Sequence, residues 1–351
     1  MRIVVTGASG NVGTSVVEAL AADPQVEEIV GIARRETGWQ PPKTRWVWAD
    51  VERDDLSATF DGADAVIHLA WLIQPSRDAV ELERVNVTGS RKVFETAARA
   101  GVGALVYASS IGAYSPGPKD DPVDESWPCH GVPSSFYSRH KAATERMLDA
   151  VEAEHPELRV VRVRPALIFK REAAPEIRRL FAGPLLPGKL LHPRLIPVLP
   201  LPRRLVVQCV HTTDVADAYR RAATDPTARG AYNIAADPVL DRETLAGALG
   251  ARVVDVPERA LRLAADASWR ARLQPSPPGW VDMGLNVPVM DTRRAREELG
   301  WTPRYTAVEA LHELLDGFRN PRGAPTPPLD PHAGGRFRRD EFKSGVGARL
   351  Q

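Results

Sequence analysis

The sequence predicts an α/β protein built on a doubly wound parallel sheet, with a smaller and mostly helical lobe. In the first 115 residues, short unbroken apolar runs, typical of strands buried on both faces, alternate with stretches of helical periodicity. Only four of the 31 prolines lie in this part of the chain. Because the interiors of helices and central strands exclude proline, the two parts of the chain are expected to be built differently.

The predicted elements follow one another in a regular order. Strands are predicted at residues 3–5, 26–33, 46–49, 65–70 and 105–108. Helical periodicity begins at Asn11, and a second long helical stretch precedes the last of these strands. In the second part of the chain, helices are predicted at 240–249, 258–272, 292–299 and 308–318. Repeated alternation of strand and helix indicates the parallel crossovers of a doubly wound sheet.

A glycine-rich turn, TGASGNVG at residues 6–13, connects the first strand to the first helix. Gly7, Gly10 and Gly13 would let a phosphate approach backbone N–H groups at the helix N-terminus. An ordinary Gly/Ser turn is the plainer interpretation, but the strand before it and the helix after it favour a dinucleotide site. The spacing G-x-x-G-x-x-G differs by one residue from the common dehydrogenase fingerprint. The predicted wall of this site also includes Ser9, Asn11 and Val12.

The end of the second strand, GIARRE, bears on the choice between NAD and NADP. A carboxylate there accepts from the ribose 2′-OH, whereas arginine accommodates a 2′-phosphate. Arg34 and Arg35 offer two guanidinium groups, which favours NADP. In the alternative, both arginines are solvated and Glu36 binds the ribose, which would give NAD. After the third strand, Asp50 and Val51 are placed to meet the adenine.

Candidate catalytic residues follow the fifth strand and open a later helix. Ser110, in YASSIGAYS, lies where a parallel sheet presents its ligand-binding edge, although serines there are also common as caps. Tyr137 and Lys141 are four residues apart, so they share one face of a helix. A phenol acting as a base near neutral pH needs its pKa lowered by about 3 units, or roughly 4 kcal/mol from nearby positive charge.

The order of these motifs resembles the extended short-chain dehydrogenase/reductase family, also called the NAD-dependent epimerase/dehydratase family. The resemblance covers residues 1–318 and includes HLAW at 68–71, VNVTGS with Asn86, Arg164-Pro165 and VHTTDVADAY at 210–219. It implies a Rossmann fold in which the three glycines cradle the pyrophosphate. It also implies that Leu69 and Ala70 pass beside the ribose and nicotinamide, and that Asn86 and Pro165 contact the cofactor.

The resemblance also implies catalytic roles. Tyr137 would donate or accept the proton, and Ser110 would polarise the substrate carbonyl. Lys141 would hold the nicotinamide ribose and lower the pKa of Tyr137. The expected function is therefore hydride transfer between a nicotinamide and a carbonyl or secondary alcohol. An NAD(P)-retaining epimerase of a sugar-like substrate is the alternative, and a non-catalytic dinucleotide sensor is a third interpretation.

The sequence departs from the family pattern near the substrate. The asparagine that commonly shapes a sugar-nucleotide pocket is absent after Arg164, and Lys170 stands where a glycine is expected. Ile111 and Gly112 replace the acid pair of a dehydratase. The Pro/Leu-rich segment 183–202 is either an apolar lid, an exposed patch or a packed insertion. A lid would favour an apolar substrate over a charged sugar nucleotide.

The predicted domain boundaries follow from this pattern. A dinucleotide-binding domain is expected at residues 1–165 and 206–235, and a substrate lobe at 166–205 and 236–318. Residues 319–351 have seven Lys/Arg against three Asp/Glu, with five prolines and five glycines, and are expected to form a disordered basic tail.

Composition excludes several other classes of function. With 46 Lys+Arg against 45 Asp+Glu, the chain has no basic excess for nucleic acid. Its two cysteines and scattered histidines predict neither a disulfide framework nor a metal site. No apolar run reaches the roughly 20 residues of a membrane span, and no signal peptide is recognised. A cytoplasmic location is expected, and a homodimer is compatible with the resemblance.

Overall fold

The computed structural model describes residues 1–183 and 196–333. The strands are β1 Arg2–Thr6, β2 Glu28–Ala33, β3 Thr44–Trp48, β4 Ala65–His68, β5 Ala104–Ala108, β6 Arg159–Pro165, β7 Leu167–Phe169, β8 Val198–Leu201, β9 Val206–His211, β10 Gly230–Ile234, β11 Ala236–Asp241 and β12 Arg252–Asp255. The helices are α1 Asn11–Ala22, α2 Ser57–Phe60, α3 Ala79–Glu83, α4 Gly89–Arg99, α5 Phe136–Glu154, α6 Ala174–Ile177, α7 Thr212–Thr224, α8 Arg242–Ala248, α9 Glu258–Arg270, α10 Gly279–Asn286, α11 Arg293–Glu298 and α12 Ala307–Arg319.

A seven-stranded sheet in the order β10-β6-β5-β4-β1-β2-β3 forms the centre of the molecule. Every neighbouring pair in this sheet is parallel. The chain runs outward from β1 to β3 and then returns to β4 on the other side of β1. The prediction of a doubly wound parallel sheet is confirmed. In such a sheet, the crevice at this reversal, beyond the carboxyl ends of the strands, is where ligands bind.

Both faces of the sheet are covered by helices, which explains the unbroken apolar runs of the sequence. Successive side chains of β1 point to opposite faces, so Ile3 and Val5 join one core and Val4 joins the other. Helices α1 and α7 pack on the first face. Residues of α4, including Val93 and Phe94, pack on the second.

The second part of the chain contains more strand than the sequence predicted. Strands β11, β9 and β7 form a small sheet, and β12 pairs with β8 in another. The sequence predicts that residues 206–235 belong to the dinucleotide-binding domain. Residues 206–211 form β9, which lies outside the central sheet. The rest of this range does join the central part of the molecule, because α7 packs on α1 and β10 forms one edge of the central sheet. Polar residues or proline interrupt most of the strands in the two small sheets, as in β8 (VLPL), β9 (VVQCVH) and β11 (ADPVLD), so they lack the unbroken apolar runs that predict a buried strand.

The segment expected to be a disordered tail from residue 319 onward contains a packed stretch. Helix α12 ends at Arg319, residues 320–323 are exposed, and most of residues 324–333 are at least partly buried. The Thr37 hydroxyl donates to the carbonyl of Pro325 at 2.7 Å, and the Arg179 guanidinium donates to that of Asp330 at 3.0 Å. Leu329 is fully buried. This apolar anchor explains the difference.

Two sequence predictions lie partly outside the described residues. They are most of the Pro/Leu-rich segment, at 184–195, and the end of the basic tail, at 334–351. Within the described ranges, no helix is both long and apolar enough to cross a membrane. In the same ranges, no group of three or more His, Cys, Asp or Glu side chains is placed to hold a metal ion.

Candidate active site

A cavity of about 650 Å³ opens at the carboxyl ends of the central strands. Nearly all of the site residues that the sequence predicted line it: Gly7, Ser9, Gly10, Asn11, Val12, Gly13, Arg34, Arg35, Asp50, Val51, Leu69, Ala70, Ser110, Tyr137, Lys141 and Pro165. Asn86 is fully buried outside this wall. Its side-chain amide donates to the carbonyl of Leu72 and accepts from the N–H of the same residue, so it shapes the loop after β4.

The glycine turn brings two backbone segments together more closely than a side chain would allow. Gly7 has φ +71°, and a Cβ there would lie 2.8 Å from the backbone nitrogen of Ala70. A Cβ on Gly13 would collide with the backbone of Gly7 and Ala8. Helix α1 starts after Gly10 without a side-chain cap. Its N-terminus therefore presents backbone N–H groups and the positive end of the helix dipole to the cavity.

A buried lysine supports this helix N-terminus. The Lys170 ammonium donates to the carbonyl of Asn11 at 2.8 Å and to the hydroxyls of Thr14 and Ser15 at 2.8 and 3.1 Å. Burial lowers the pKa of Lys170 to about 8. The sequence showed Lys170 only as a departure from the family pattern, since 159 residues separate it from Asn11.

The side chains that follow β2 and β3 form the polar end of the cavity. Arg34 and Arg35 both lie on its wall, and the Arg34 guanidinium is 4.0 Å from the Asp50 carboxylate. Val51 lies beside Asp50 on the same wall. Glu36 is exposed and is not among the described residues that line the cavity.

The three predicted catalytic residues meet at the other end of the cavity. Ser110 follows β5, and its side chain accepts a hydrogen bond from the N–H of Gly112 at 3.0 Å. Tyr137 lies in the first turn of α5, which Ser135 caps. A Cβ on Gly112 would lie 2.9 Å from the Tyr137 ring, so a glycine lets the two segments approach. Lys141 lies one turn further along α5.

The phenol of Tyr137 is held in its protonated form. Burial raises the pKa of Tyr137 to about 12, and a hydrogen bond with Ser110 opposes part of this effect. The expected lowering of this pKa by Lys141 is not seen. The Lys141 ammonium instead donates to the carbonyl of Ala108 at 2.6 Å and lies 3.4 Å from the ring centroid of Trp71, but 5.8 Å from that of Tyr137.

A buried ionic cluster lies behind the catalytic residues. Burial raises the pKa of Glu145, but hydrogen bonds and charge from Arg164, together with the charge of Arg162, outweigh it and hold that pKa below its usual value. Nε and Nη2 of Arg164 each donate to one oxygen of the Glu145 carboxylate at 2.9 Å, and the Ser109 hydroxyl donates to the same carboxylate. The sequence signal was Glu145 one turn after Lys141, with three arginines in an otherwise apolar strand, two of which contact Glu145.

Aromatic side chains surround Tyr137. The Trp280 ring centroid lies 4.9 Å from that of Tyr137, and the Trp71 centroid lies 5.9 Å from it. Phe181 contacts Trp280 edge to face at 4.9 Å. Sequence reasoning missed Trp280 and Phe181, since no motif connects them to the catalytic residues.

Comparisons with known proteins agree with this arrangement. The model of the family described as the NAD dependent epimerase/dehydratase family matches residues 3–235. An uncharacterized protein of Mycobacterium tuberculosis is 28% identical over 321 residues, covering 91% of this chain and 30% of that protein. The chain thus spans less than a third of the length of this relative. The UDP-glucose 4-epimerase of Mycolicibacterium smegmatis is 28% identical over 342 residues, covering 91% of this chain and 99% of that one.

A solved structure has the same fold. It is the UDP-glucose 4-epimerase of Thermus thermophilus in complex with NAD, with a TM-score of 0.66 and 22% sequence identity. The match covers 92% of this chain and 100% of that chain. At this identity, the likeness describes the fold.

Proposed function

The chain belongs to the NAD-dependent epimerase/dehydratase family of enzymes, and from that premise we propose that it is an NAD(P)-dependent oxidoreductase acting on a carbonyl compound or secondary alcohol. The family match confirms the resemblance drawn from the motifs. The observation that carries the proposal is the convergence of Ser110, Tyr137 and Lys141 at one end of a cavity whose other end holds the glycine turn.

The glycine turn fits a dinucleotide. Gly7 and Gly13 keep the turn tight, because a Cβ on either would collide with neighbouring backbone, and the start of α1 offers N–H groups for a pyrophosphate. When bound, a nicotinamide dinucleotide supplies or accepts the hydride. Leu69 and Ala70 would flank its nicotinamide half, and Lys141 would bind the ribose hydroxyls, which requires the ammonium to turn from its contact with the Trp71 ring.

The protonated phenol suits the direction of reduction. Tyr137 would give its proton to the carbonyl oxygen of the substrate, and Ser110 would donate a hydrogen bond to the same oxygen. A pKa of about 12 keeps the phenol ready to donate at neutral pH. A positioned acid of this kind contributes about 10²- to 10⁴-fold in rate.

The cofactor preference we propose is NADP, with NAD as the alternative. Support comes from Arg34 and Arg35, which line the cavity at the end of β2, whereas Glu36 does not. Guanidinium groups suit a 2′-phosphate. We expect replacement of both arginines by alanine to reduce the affinity for NADPH at least about tenfold, by loss of charge-assisted hydrogen bonds, while the affinity for NADH changes little. Fluorescence titration of the two reduced cofactors measures this.

An epimerase that retains its cofactor is the second candidate. It is favoured by the similarity to the UDP-glucose 4-epimerase of Mycolicibacterium smegmatis over almost the whole of both chains. The same three residues would serve, because a transient ketone would be reduced on its other face. Product formation without a net change in absorbance at 340 nm would favour this candidate over the oxidoreductase.

The test is a screen of carbonyl compounds, alcohols and sugar nucleotides with NADPH, NADP⁺, NADH and NAD⁺, followed at 340 nm. We expect Tyr137→Phe to lower the rate of the active reaction by about 10²- to 10⁴-fold, because the proton donor is lost. Tyr305→Phe, outside the cavity wall, is the matched control. Full activity of Tyr137→Phe would remove the catalytic assignment of Tyr137, whereas cofactor binding without turnover of any compound in the screen would favour a dinucleotide sensor.

A further inference from the structure

The cavity around Tyr137 is bounded by aromatic side chains from distant parts of the chain. We call Trp71, Phe181 and Trp280 the aromatic wall. Trp71 follows β4, Phe181 follows α6, and Trp280 lies in the first turn of α10. All three line the cavity, and Ile111 and Met283 lie beside them. The space next to the proposed proton donor is therefore enclosed mainly by apolar rings and side chains.

Charged groups are concentrated at the opposite end. Among the described residues that line the cavity, the charged ones are Arg34, Arg35, Asp50, Lys141 and Glu176. The first three follow β2 and β3, and Glu176 interacts electrostatically with Arg35. Among the described lining residues, Lys141 is thus the basic side chain near Tyr137, burial lowers its pKa well below the usual value, and it already contacts the Ala108 carbonyl and the Trp71 ring. A sugar-bound diphosphate beside Tyr137 would be desolvated, and the described lining residues there include no arginine to pair with it.

The aromatic wall also holds two buried donors without partners. The indole nitrogens of Trp71 and Trp280 are buried, and neither makes a hydrogen bond in the structure. A buried N–H left unpaired costs about 1–3 kcal/mol, and such groups are rare in native structures. Because both nitrogens are buried, the aromatic rings, and not the N–H groups, form the surface that a substrate would meet.

We propose that the substrate is an aryl carbonyl compound, or the corresponding alcohol, whose ring packs on Trp280 and Trp71. This inference rests on the proposed function. The carbonyl oxygen faces Tyr137 and Ser110. In the reduction, the hydride of NADPH forms the new C–H bond, the C=O π pair takes the proton of Tyr137, and NADPH becomes NADP⁺.

The experiment compares 4-hydroxyacetophenone, acetophenone, cyclohexyl methyl ketone and UDP-glucose as probes. Binding is measured by calorimetry in the presence of NADP⁺, and turnover at 340 nm with NADPH. We expect the two aryl ketones to bind more tightly than cyclohexyl methyl ketone, because ring stacking adds to apolar burial. UDP-glucose is expected to bind most weakly.

Two variants of one residue separate the aromatic ring from general apolar burial. Trp280→Leu is expected to weaken binding of the aryl ketones at least about tenfold through lost ring contact. Trp280→Phe keeps a ring and is expected to bind both aryl ketones nearly as well as the parent protein. Trp269→Leu, in α9 and outside the cavity wall, is the matched control and is expected to bind like the parent protein.

The outcomes distinguish the two proposals. Aryl ketone binding that depends on Trp280 but comes without turnover would support the substrate site and contradict the proposed reaction. Reduction of ketones with no effect of either Trp280 variant would overturn the substrate site and leave the reaction in place. Tighter binding of UDP-glucose than of the aryl ketones would also overturn the substrate site.

Discussion

Replacing Lys170 by methionine should change how the stability of the protein depends on pH. Lys170 is buried, and burial lowers its pKa from 10.5 to about 8 in the folded protein. Below pH 8 the amine is protonated in both the folded and the unfolded chain. Between these two pKa values the folded protein has released the proton and the unfolded chain has not. The free energy of unfolding that Lys170 contributes therefore rises with pH in this window.

The size of the effect follows from the two pKa values. Each unit of pKa difference corresponds to about 1.4 kcal/mol. Integrated from pH 8 to pH 10, the contribution of Lys170 increases by about 2 kcal/mol. Lys170→Met lacks this increment. The stability of the parent protein relative to the variant should thus increase by about 2 kcal/mol over this range.

Urea unfolding followed by tryptophan fluorescence, at half-unit steps between about pH 7 and pH 10, measures the difference. Comparing parent and variant at each pH cancels the titration of other groups. One such group is Lys119, because burial lowers its pKa to about 8 as well. Lys92→Met, which removes an exposed lysine whose ammonium donates to the carbonyl of Glu52, is the matched control. A difference between parent and Lys170→Met that stays constant across this range would refute the reasoning.

Two further substitutions test the packing around the site. Gly13→Ala should abolish NADPH binding and lower the unfolding midpoint, because its Cβ would meet the backbone of Gly7. Gly284→Ala in α10, where a Cβ meets nothing within 4 Å, should keep NADPH binding and raise the free energy of unfolding by up to about 1 kcal/mol. Equal effects of the two substitutions would contradict a role of Gly13 in a tight phosphate-binding turn. Glu145→Gln should cost about 3–5 kcal/mol in urea unfolding, because Arg164 loses its buried carboxylate partner. A decrease of less than about 1 kcal/mol in the free energy of unfolding would instead be typical of a solvent-exposed ion pair and would contradict this prediction.

The parts of the site that could be predicted are those that short stretches of sequence encode. The strand, glycine turn and helix at residues 2–22 form one continuous segment, so the glycine spacing between a strand and a helix was enough to predict a phosphate-binding turn. Tyr137 and Lys141 lie one turn apart on α5, so their proximity also follows from local geometry. Strands buried on both faces leave unbroken apolar runs, which is why the central sheet could be recognised.

The parts that could not be predicted depend on contacts between distant segments. Lys170 reaches Asn11 across 159 residues, and Trp280 reaches Tyr137 from a helix in the second part of the chain. Nothing in the local sequence of either residue indicates these partners. The pKa of Tyr137 was misjudged for the same reason, because burial and the position of the Lys141 ammonium depend on the packed structure.

In the proposed enzyme, the residues for catalysis and those for substrate specificity lie on different elements of the fold. On α5, Tyr137, Lys141 and Glu145 recur every four residues, and Arg164 of β6 holds Glu145 through a two-nitrogen fork. This buried pair fixes the helix to the central sheet, so the proton donor keeps its position relative to Ser110. Trp280 belongs to α10, outside that sheet. Substitutions in α10 can therefore alter which ring is accepted without moving the group that donates the proton. We expect substitutions in α10 to change mainly KM, and substitutions in the pair of Glu145 and Arg164 to change mainly kcat.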